Sequence, residues 1–142
     1  MVAPADAPAT GWRAWVPHVA LAGIAAAAIL LATPPHDLWP LAFVGTAALY
    51  AALTAARRRT AILIAWLAGF AINIVGNGWA LEVMGRFAHA GAATRWLVLL
   101  VTAAYQASVF ALAAGATTTL RRHRVPPLLA APLAFALAEA VI

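Results

Sequence analysis

Long apolar runs separated by short polar breaks restrict the possible folds of this chain more than any other feature of its sequence. An α-helix needs about 20 apolar residues to cross about 30 Å of hydrocarbon. Five stretches reach or approach this length: residues 15–33, 38–56, 61–81, 96–120 and 128–142. None of them alternates polar and apolar residues with the period of two that a membrane β-strand requires. The sequence therefore predicts an all-α membrane protein, a polytopic bundle of five transmembrane helices over residues 15–142.

The composition excludes several classes of protein. Hydrophobic residues make up 65% of the chain and charged residues 9%, which is too little polar material for the shell of a soluble domain. The absence of cysteine excludes disulfides, thiolate metal sites and a cysteine nucleophile. The scattered glycines, four histidines and single serine form no phosphate-binding, metal-binding or nucleophile motif, so we expect no metal and no cofactor.

The distribution of arginine predicts the orientation of the helices. All nine basic residues are arginine, and the net charge is +5. Seven lie in the amino-terminal segment and in the second and fourth breaks: Arg13, Arg57, Arg58, Arg59, Arg121, Arg122 and Arg124. The other two, Arg86 and Arg95, lie in the third break. By the positive-inside rule, the amino terminus is cytoplasmic, with residues 1–14 a disordered tail. Because no aromatic residues interleave with the arginines as in RNA-binding modules, we expect no nucleic-acid partner.

The fifth apolar stretch is shorter than a full membrane span. Residues 128–142 number 15, and at about 1.5 Å per residue such a helix reaches only about 22 Å. A charged carboxyl terminus at that depth would be costly. We therefore expect the fifth span to be incomplete and the chain to be a fragment or a truncated reading frame.

The segment TPPHDLWPLAF, residues 33–43, connects the first apolar run to the second. Pro34 and Pro35 are expected to end the first helix, since proline lacks an amide donor and displaces its predecessor from the helical region. We expect Asp37 to cap the second helix, Trp39 to lie at headgroup level and Pro40 to occupy the first turn. These residues predict a tight turn at the membrane interface. A proton relay between Asp37 and the preceding histidine is the alternative, but no second acid or base lies near it in sequence.

Polar residues inside the apolar runs are the candidate site residues. Asn73 and Asn77 share a helical face with Gly69 and Gly76. This face has two interpretations: packing, in which small residues and amides join helices, or a polar notch for a lipid headgroup. Trp79, near the outer end of the same run, is expected to anchor the chain at the interface and to contact lipid.

Two further polar groups lie in the later spans. Thr102, Tyr105 and Gln106 form a polar stripe in the fourth run, which we interpret as a contact between helices. Glu139 lies in the fifth run, and an ionisable residue inside a membrane span is a functional candidate by default. Glu139 therefore joins Asn73, Asn77 and Trp79 as a predicted lipid-contact residue.

Several short motifs follow one another along the chain. They are Leu38-Trp39-Pro40-Leu41-Ala42-Phe43 after a proline pair, Leu67-Ala68-Gly69-Phe70, Gly76-Asn77-Gly78-Trp79, Phe87-Ala88-His89-Ala90-Gly91, and Pro132 with Glu139. Their order and spacing resemble the amino-terminal membrane domain of the bacterial apolipoprotein N-acyltransferases over residues 15–142. The chain departs from the family pattern at Asp37, where glycine is usual, and at Phe135 and Ala140, where tryptophan is expected.

The resemblance implies a membrane enzyme of the bacterial inner membrane. Such an enzyme transfers an acyl chain from a phospholipid to the amino-terminal lipidated cysteine of a lipoprotein, so phospholipid and lipoprotein are the implied partners. The family's catalytic residues, a Glu, a Lys and a Cys, belong to a periplasmic nitrilase-like domain. This chain contains neither lysine nor cysteine, so we expect no catalytic residue in it and no activity from it alone. Its implied role is anchoring and lateral access for lipid.

Two other functions are compatible with the same apolar runs. A similar membrane domain occurs as a non-enzymatic scaffold that recruits a polyprenol-phosphate glycosyltransferase to the membrane. Half of a small transporter is the other alternative, although the sequence shows neither paired intramembrane charges nor an inverted repeat.

Overall fold

The computed structural model describes residues 15–141, and within this range the chain consists of helices joined by short turns, with no strand. The helices are α1 (Val16–Leu31), α2 (Pro40–Ala55), α3 (Arg58–Gly76), α4 (Trp79–Phe87), α5 (Ala92–Arg122) and α6 (Pro127–Val141). The all-α prediction is confirmed for the described residues. The predicted tail, residues 1–14, lies outside them.

Two of these helices are long and apolar enough to cross a membrane. They are α3, with 19 residues, and α5, with 31 residues. The apolar helices α1 and α2 have 16 residues each, or about 24 Å of helix, and α6 has 15 residues. In the described range, two of the five predicted spans therefore contain a helix of sufficient length and apolar composition for a crossing.

The third predicted span, residues 61–81, consists of two helices rather than one. The first, α3, ends at Gly76, and α4 begins at Trp79. The amides of Asn77 and Gly78 donate to carbonyls of the last turn of α3 and complete it. Asparagine and glycine both have low helix propensity, so the helix ends at this pair although apolar residues continue beyond it.

The turn between α1 and α2 closes through backbone hydrogen bonds. The Leu38 amide donates to the Leu31 carbonyl at 3.1 Å, the Pro34–Pro35 peptide bond is cis, and α2 begins at Pro40. Asp37 has a φ of 57°, in the left-handed region that aspartate tolerates better than most residues. The predicted Asp37 cap is wrong, because the residue preceding α2 is Trp39 and no side chain caps that helix end.

The interior of the bundle is built mainly from alanine, and large side chains point outward. The buried cluster comprises Ala22, Ala25, Leu49, Leu53, Ala61, Ile64, Ala65, Ala68 and Ala114. Exposed apolar side chains include Phe43, Leu97 and Trp79, which are 71%, 62% and 65% exposed. Small residues at helix contacts and large apolar residues on the outside are typical of helices that pack within lipid.

Two glycines permit especially close helix contacts. A Cβ atom at Gly45 in α2 would lie 2.9 Å from the Ala25 carbonyl oxygen of α1. A Cβ at Gly69 in α3 would lie 2.7 Å from Cδ2 of Phe110 in α5. The two contacts fix the α1–α2 and α3–α5 pairs at distances that only glycine allows.

One end of the bundle collects the arginines of two turns. Nη1 of Arg121, at the end of α5, donates to the Thr54 carbonyl near the end of α2 at 2.9 Å. The turn from α2 to α3 therefore lies beside the turn from α5 to α6. At the start of α5, Nη1 of Arg95 donates to the Leu81 carbonyl of α4 at 3.3 Å, which places α4 at the opposite end of the bundle.

Candidate functional site

A polar cavity of about 460 Å³ lies between α3, α5 and α6. Its lining residues are Ile72, Asn73, Tyr105, Gln106, Val109, Phe110, Phe135 and Glu139. We call it the polar notch. The fold brings Asn73 and Glu139, two of the four predicted lipid-contact residues, to one cavity and adds the polar pair of α5.

The polar notch lies closer to the α4 end of the bundle than to the arginine-rich end. At about 1.5 Å per residue, Asn73 lies about 22 Å along α3 from its arginine-bearing start. Tyr105 lies about 25 Å from the arginine-bearing end of α5, and Glu139 lies about 18 Å from the start of α6. All three distances exceed half of the roughly 30 Å that a membrane-spanning helix covers, so the notch lies toward the α4 end.

Asn73 is half-buried and held in place along α3. Its Nδ2 donates to the Gly69 carbonyl at 2.8 Å, and its Oδ1 accepts from Nδ2 of Asn77 at 3.2 Å. An amide side chain has two N–H donors and an oxygen with two lone pairs. The two bonds fix the orientation of Asn73 and leave it capacity for one further donor and one further acceptor contact toward the notch.

The other two predicted lipid-contact residues lie outside the notch. Asn77 follows the last residue of α3 and orients Asn73 through the hydrogen bond just described. Trp79 is the first residue of α4 and is 65% exposed. Among the described residues, neither belongs to the lining of the polar notch.

A second cavity, of about 380 Å³, is almost entirely apolar. It lies between α1, α2, α5 and α6 and is lined by Ile29, Thr46, Leu49, Tyr50, Leu53, Phe110, Thr117, Ala131, Pro132 and Phe135. We call it the apolar groove. Thr117 donates its hydroxyl to the Ala113 carbonyl at 2.7 Å, so this hydroxyl is satisfied within its own helix and the groove presents mostly hydrocarbon.

Two phenylalanines lie between the polar notch and the apolar groove. The rings of Phe110 and Phe135 pack edge to face, with centroids 5.6 Å apart and planes at 88°. Both residues line both cavities. A movement of this one pair would therefore change the boundary between a polar and an apolar compartment.

No local sequence pattern predicts the apolar groove, because its walls come from four helices. Pro132, which lies inside α6, is one of its lining residues. Proline removes a helical hydrogen bond and forces the ring against the preceding turn.

The side chains that line these two cavities are suited to binding a ligand. The notch offers amide, phenol and carboxylate groups, and the groove offers hydrocarbon. In the described part of the chain, no group of three or more His, Asp or Glu side chains is placed to hold a metal ion.

Comparison with known proteins identifies the family. The family model described as the apolipoprotein N-acyltransferase N-terminal domain matches residues 25–142. An apolipoprotein N-acyltransferase of Azotobacter vinelandii is 37% identical over 127 residues, which are 89% of this chain and 23% of the relative. The enzymes of that name from Pseudomonas putida and Pseudomonas syringae pv. tomato are each 35% identical over 89% of this chain and 24% of their own length.

The match is to one part of these relatives. The chain spans about a quarter of the length of the curated relatives that it matches, and no solved structure is significantly similar to it. The resemblance carried by the sequence motifs is confirmed: the chain belongs to the apolipoprotein N-acyltransferase N-terminal domain family.

Proposed function

We propose that this chain is the membrane part of an enzyme that transfers an acyl chain from a phospholipid to the amino-terminal lipidated cysteine of a lipoprotein. The names of its relatives support an N-acyltransferase rather than a scaffold for a glycosyltransferase. Within that enzyme, this chain supplies membrane anchoring and lateral access for lipid. The observation that carries the proposal is the polar notch with the apolar groove beside it.

The proposed topology has five spans in the bacterial inner membrane, with a cytoplasmic amino terminus. The arginines of the two turns at one end mark the cytoplasmic side, and the α4 end faces the periplasm. The short helices α1, α2 and α6 complete their crossings through local thinning of the bilayer and through flanking residues. The extra length of α5, about 46 Å at 1.5 Å per residue, places its first turns beyond the hydrocarbon, beside α4.

The polar notch and apolar groove suit the two parts of a phospholipid. In the proposed topology, the notch lies in the periplasmic half of the membrane, where it accepts a headgroup through Asn73 and its polar neighbours. The groove then receives an acyl chain on the other side of the Phe110–Phe135 pair. Because both cavities open to the surface of the bundle, lipid enters from the bilayer rather than from water.

The chemical step belongs to other parts of the enzyme. The nucleophile, base and oxyanion-stabilising residues of the family are a Cys, a Glu and a Lys, and this chain contains neither Cys nor Lys. We therefore expect this chain to be inactive by itself and to act by delivering phospholipid to a catalytic domain.

A test is the kinetics of the full-length enzyme reconstituted with phospholipid and a lipopeptide acceptor. Asn73→Leu removes the amide from the notch, and loss of one or two hydrogen bonds to a headgroup should raise KM for phospholipid by about 10-fold. Ser108→Ala is the matched control, because Ser108 bonds to the Ala104 carbonyl of its own helix and lines neither cavity. An unchanged KM in Asn73→Leu would leave that face with a packing role alone.

A further inference from the structure

Four arginines converge on one pocket at the end of the bundle opposite α4. The pocket has a volume of about 370 Å³, and its lining residues are Ala56, Arg57, Arg58, Thr118, Arg121 and Arg122. We call it the arginine pocket. Orientation in a membrane requires only that arginines lie on one side, and it does not require that side chains from two distant turns share a cavity.

A hydrogen bond connects the two turns beside the pocket. The Arg121 guanidinium donates to the Thr54 carbonyl across the two turns. The pocket also lies at the start of α3, where no side chain caps the helix and no acidic residue occupies the first turn. The first amides of a helix carry a partial positive charge that favours anions. The helix end and the four guanidinium groups therefore attract the same kind of ligand.

The described residues provide no anion for this pocket. Their acidic side chains are Asp37, Glu82 and Glu139. Glu82 pairs with Arg86 on α4, Asp37 lies in the turn between α1 and α2, and Glu139 lines the polar notch. No acidic residue lines the arginine pocket.

An adjoining groove indicates which anion fits. A cavity of about 480 Å³ between α3, α5 and α6, which we call the adjoining groove, is lined by Arg58, Ile62, Ala111, Leu112, Gly115, Ala116, Thr119, Leu120 and Leu137. Thr119 donates its hydroxyl to the Gly115 carbonyl, so apart from Arg58 the walls are chiefly hydrocarbon. Arg58 lines both this groove and the arginine pocket. A phosphate site that continues into the adjoining groove matches a phospholipid better than a free phosphate ion.

We propose that the arginine pocket binds the phosphate of an anionic phospholipid of the cytoplasmic leaflet, with one acyl chain of that lipid lying along the adjoining groove. Arginine suits this role because its planar guanidinium donates two parallel hydrogen bonds to phosphate oxygens. The phosphate of the bound lipid would reduce the repulsion among four clustered positive charges and join the α2–α3 turn to the end of α5. The site is separate from the acyl-donor site proposed above, since the two lie at opposite depths of the bundle.

The experiment is native mass spectrometry of the full-length protein in detergent, titrated with phosphatidylglycerol and, separately, with phosphatidylcholine. Arg58→Gln with Arg122→Gln removes two charges from the pocket and should weaken phosphatidylglycerol binding by about 30-fold, at the usual contribution of a basic residue near an anionic lipid. Arg59→Gln with Arg124→Gln is the matched control. It removes two charges from the same end without touching the pocket lining and should change binding by less than about 3-fold.

Further arms distinguish the sources of phosphate. Glycerol phosphate and inorganic phosphate, each in large excess, should fail to displace phosphatidylglycerol, because they lack the acyl chain that occupies the adjoining groove. Displacement by either, equal binding of phosphatidylcholine, or tighter binding of a single-stranded oligonucleotide would overturn the proposal. Equal loss in the two double variants would also overturn it, since general charge rather than the pocket would then explain the binding.

A charge-conserving variant covers the case in which the glutamine pair fails to fold. Arg58→Lys with Arg122→Lys keeps the topology signal but loses the bidentate geometry, and it should lower phosphatidylglycerol affinity by several-fold. Unchanged affinity in this pair would contradict a guanidinium–phosphate site. Acylation by the full-length enzyme is measured in parallel, so that failure of lipid binding here is distinguished from failure of the proposed acyl transfer.

Discussion

Replacing Gly45 by alanine should force α1 and α2 apart. The added Cβ would lie 2.7 Å from Cγ1 of Ile29, 2.9 Å from the Ala25 carbonyl oxygen and 3.1 Å from the Ile29 amide nitrogen. The isoleucine side chain can rotate, but the other two atoms belong to the backbone of α1. The clash is therefore relieved only if the helices separate by several tenths of an ångström along their contact.

The expected cost follows from two opposing terms. Overpacking of one methyl group costs about 1–3 kcal/mol, and replacing glycine by alanine inside a helix returns about 1 kcal/mol. Two of the three overlapped atoms belong to the backbone, so the upper part of the overpacking range applies, about 2–3 kcal/mol. The net loss of stability for Gly45→Ala is then about 1–2 kcal/mol. Gly23→Ala is the matched control in α1, because nothing lies within 4 Å of a Cβ at that position, and it should be neutral or slightly stabilising.

The assay is equilibrium unfolding of the protein in mixed micelles, with sodium dodecyl sulfate as denaturant. Gly45→Ala should unfold at a lower mole fraction of the denaturant than the parent protein, and Gly23→Ala should not. A Gly45→Ala variant as stable as the Gly23→Ala variant would refute the close packing of α1 on α2.

Two further predictions concern α3, α4 and α5. Gly69→Ala should destabilise the protein by about 1–2 kcal/mol, because the added Cβ would overlap Phe110. A second change, Phe110→Leu, should recover most of the loss. Gly115→Ala is the control, since a Cβ at that position lies at an ordinary 3.6 Å from Ile62. Failure of the second change to restore stability would contradict that contact. Arg95→Gln removes the hydrogen bond to the Leu81 carbonyl. Amide hydrogen exchange in α4 should therefore accelerate by about 5- to 10-fold. An unchanged exchange rate would show that other contacts hold α4.

The sequence predicts helices well where the local signal is strong. Pro34 and Pro35 lie in the turn after α1, and α3 begins within the arginine run at Arg58, because proline and charge act on the backbone or on its solvation directly. The break at Asn77–Gly78 was not predicted, since the apolar run continues through Leu81 and hydrophobic length alone favours one long span. The weaker local effect, low helix propensity at two adjacent residues, decides the boundary.

The candidate site was predictable only in part. Asn73 and Glu139 stand out because each is polar within an apolar run, but their common cavity depends on how α3 and α6 pack against α5. Phe110 gives no signal in the sequence, since isolated phenylalanines are ordinary in membrane spans, and Phe135 stands out only as a departure from the family pattern. The arginines were predicted as topology signals, and their convergence on one pocket depends on the contact between Arg121 and Thr54.

The proposed topology places the arginine-rich end and the α4 end on opposite sides of the inner membrane. Because the chain has no cysteine, Arg59→Cys and His89→Cys each introduce a single labelling site into it, one in the first turn of α3 and one in the turn between α4 and α5. Treated in intact cells with a membrane-impermeant maleimide that crosses only the outer membrane, His89→Cys should be labelled, and Arg59→Cys should be labelled only after the inner membrane is opened. Labelling of both positions from the same side would contradict the topology, and with it the assignment of the polar notch and the arginine pocket to opposite leaflets.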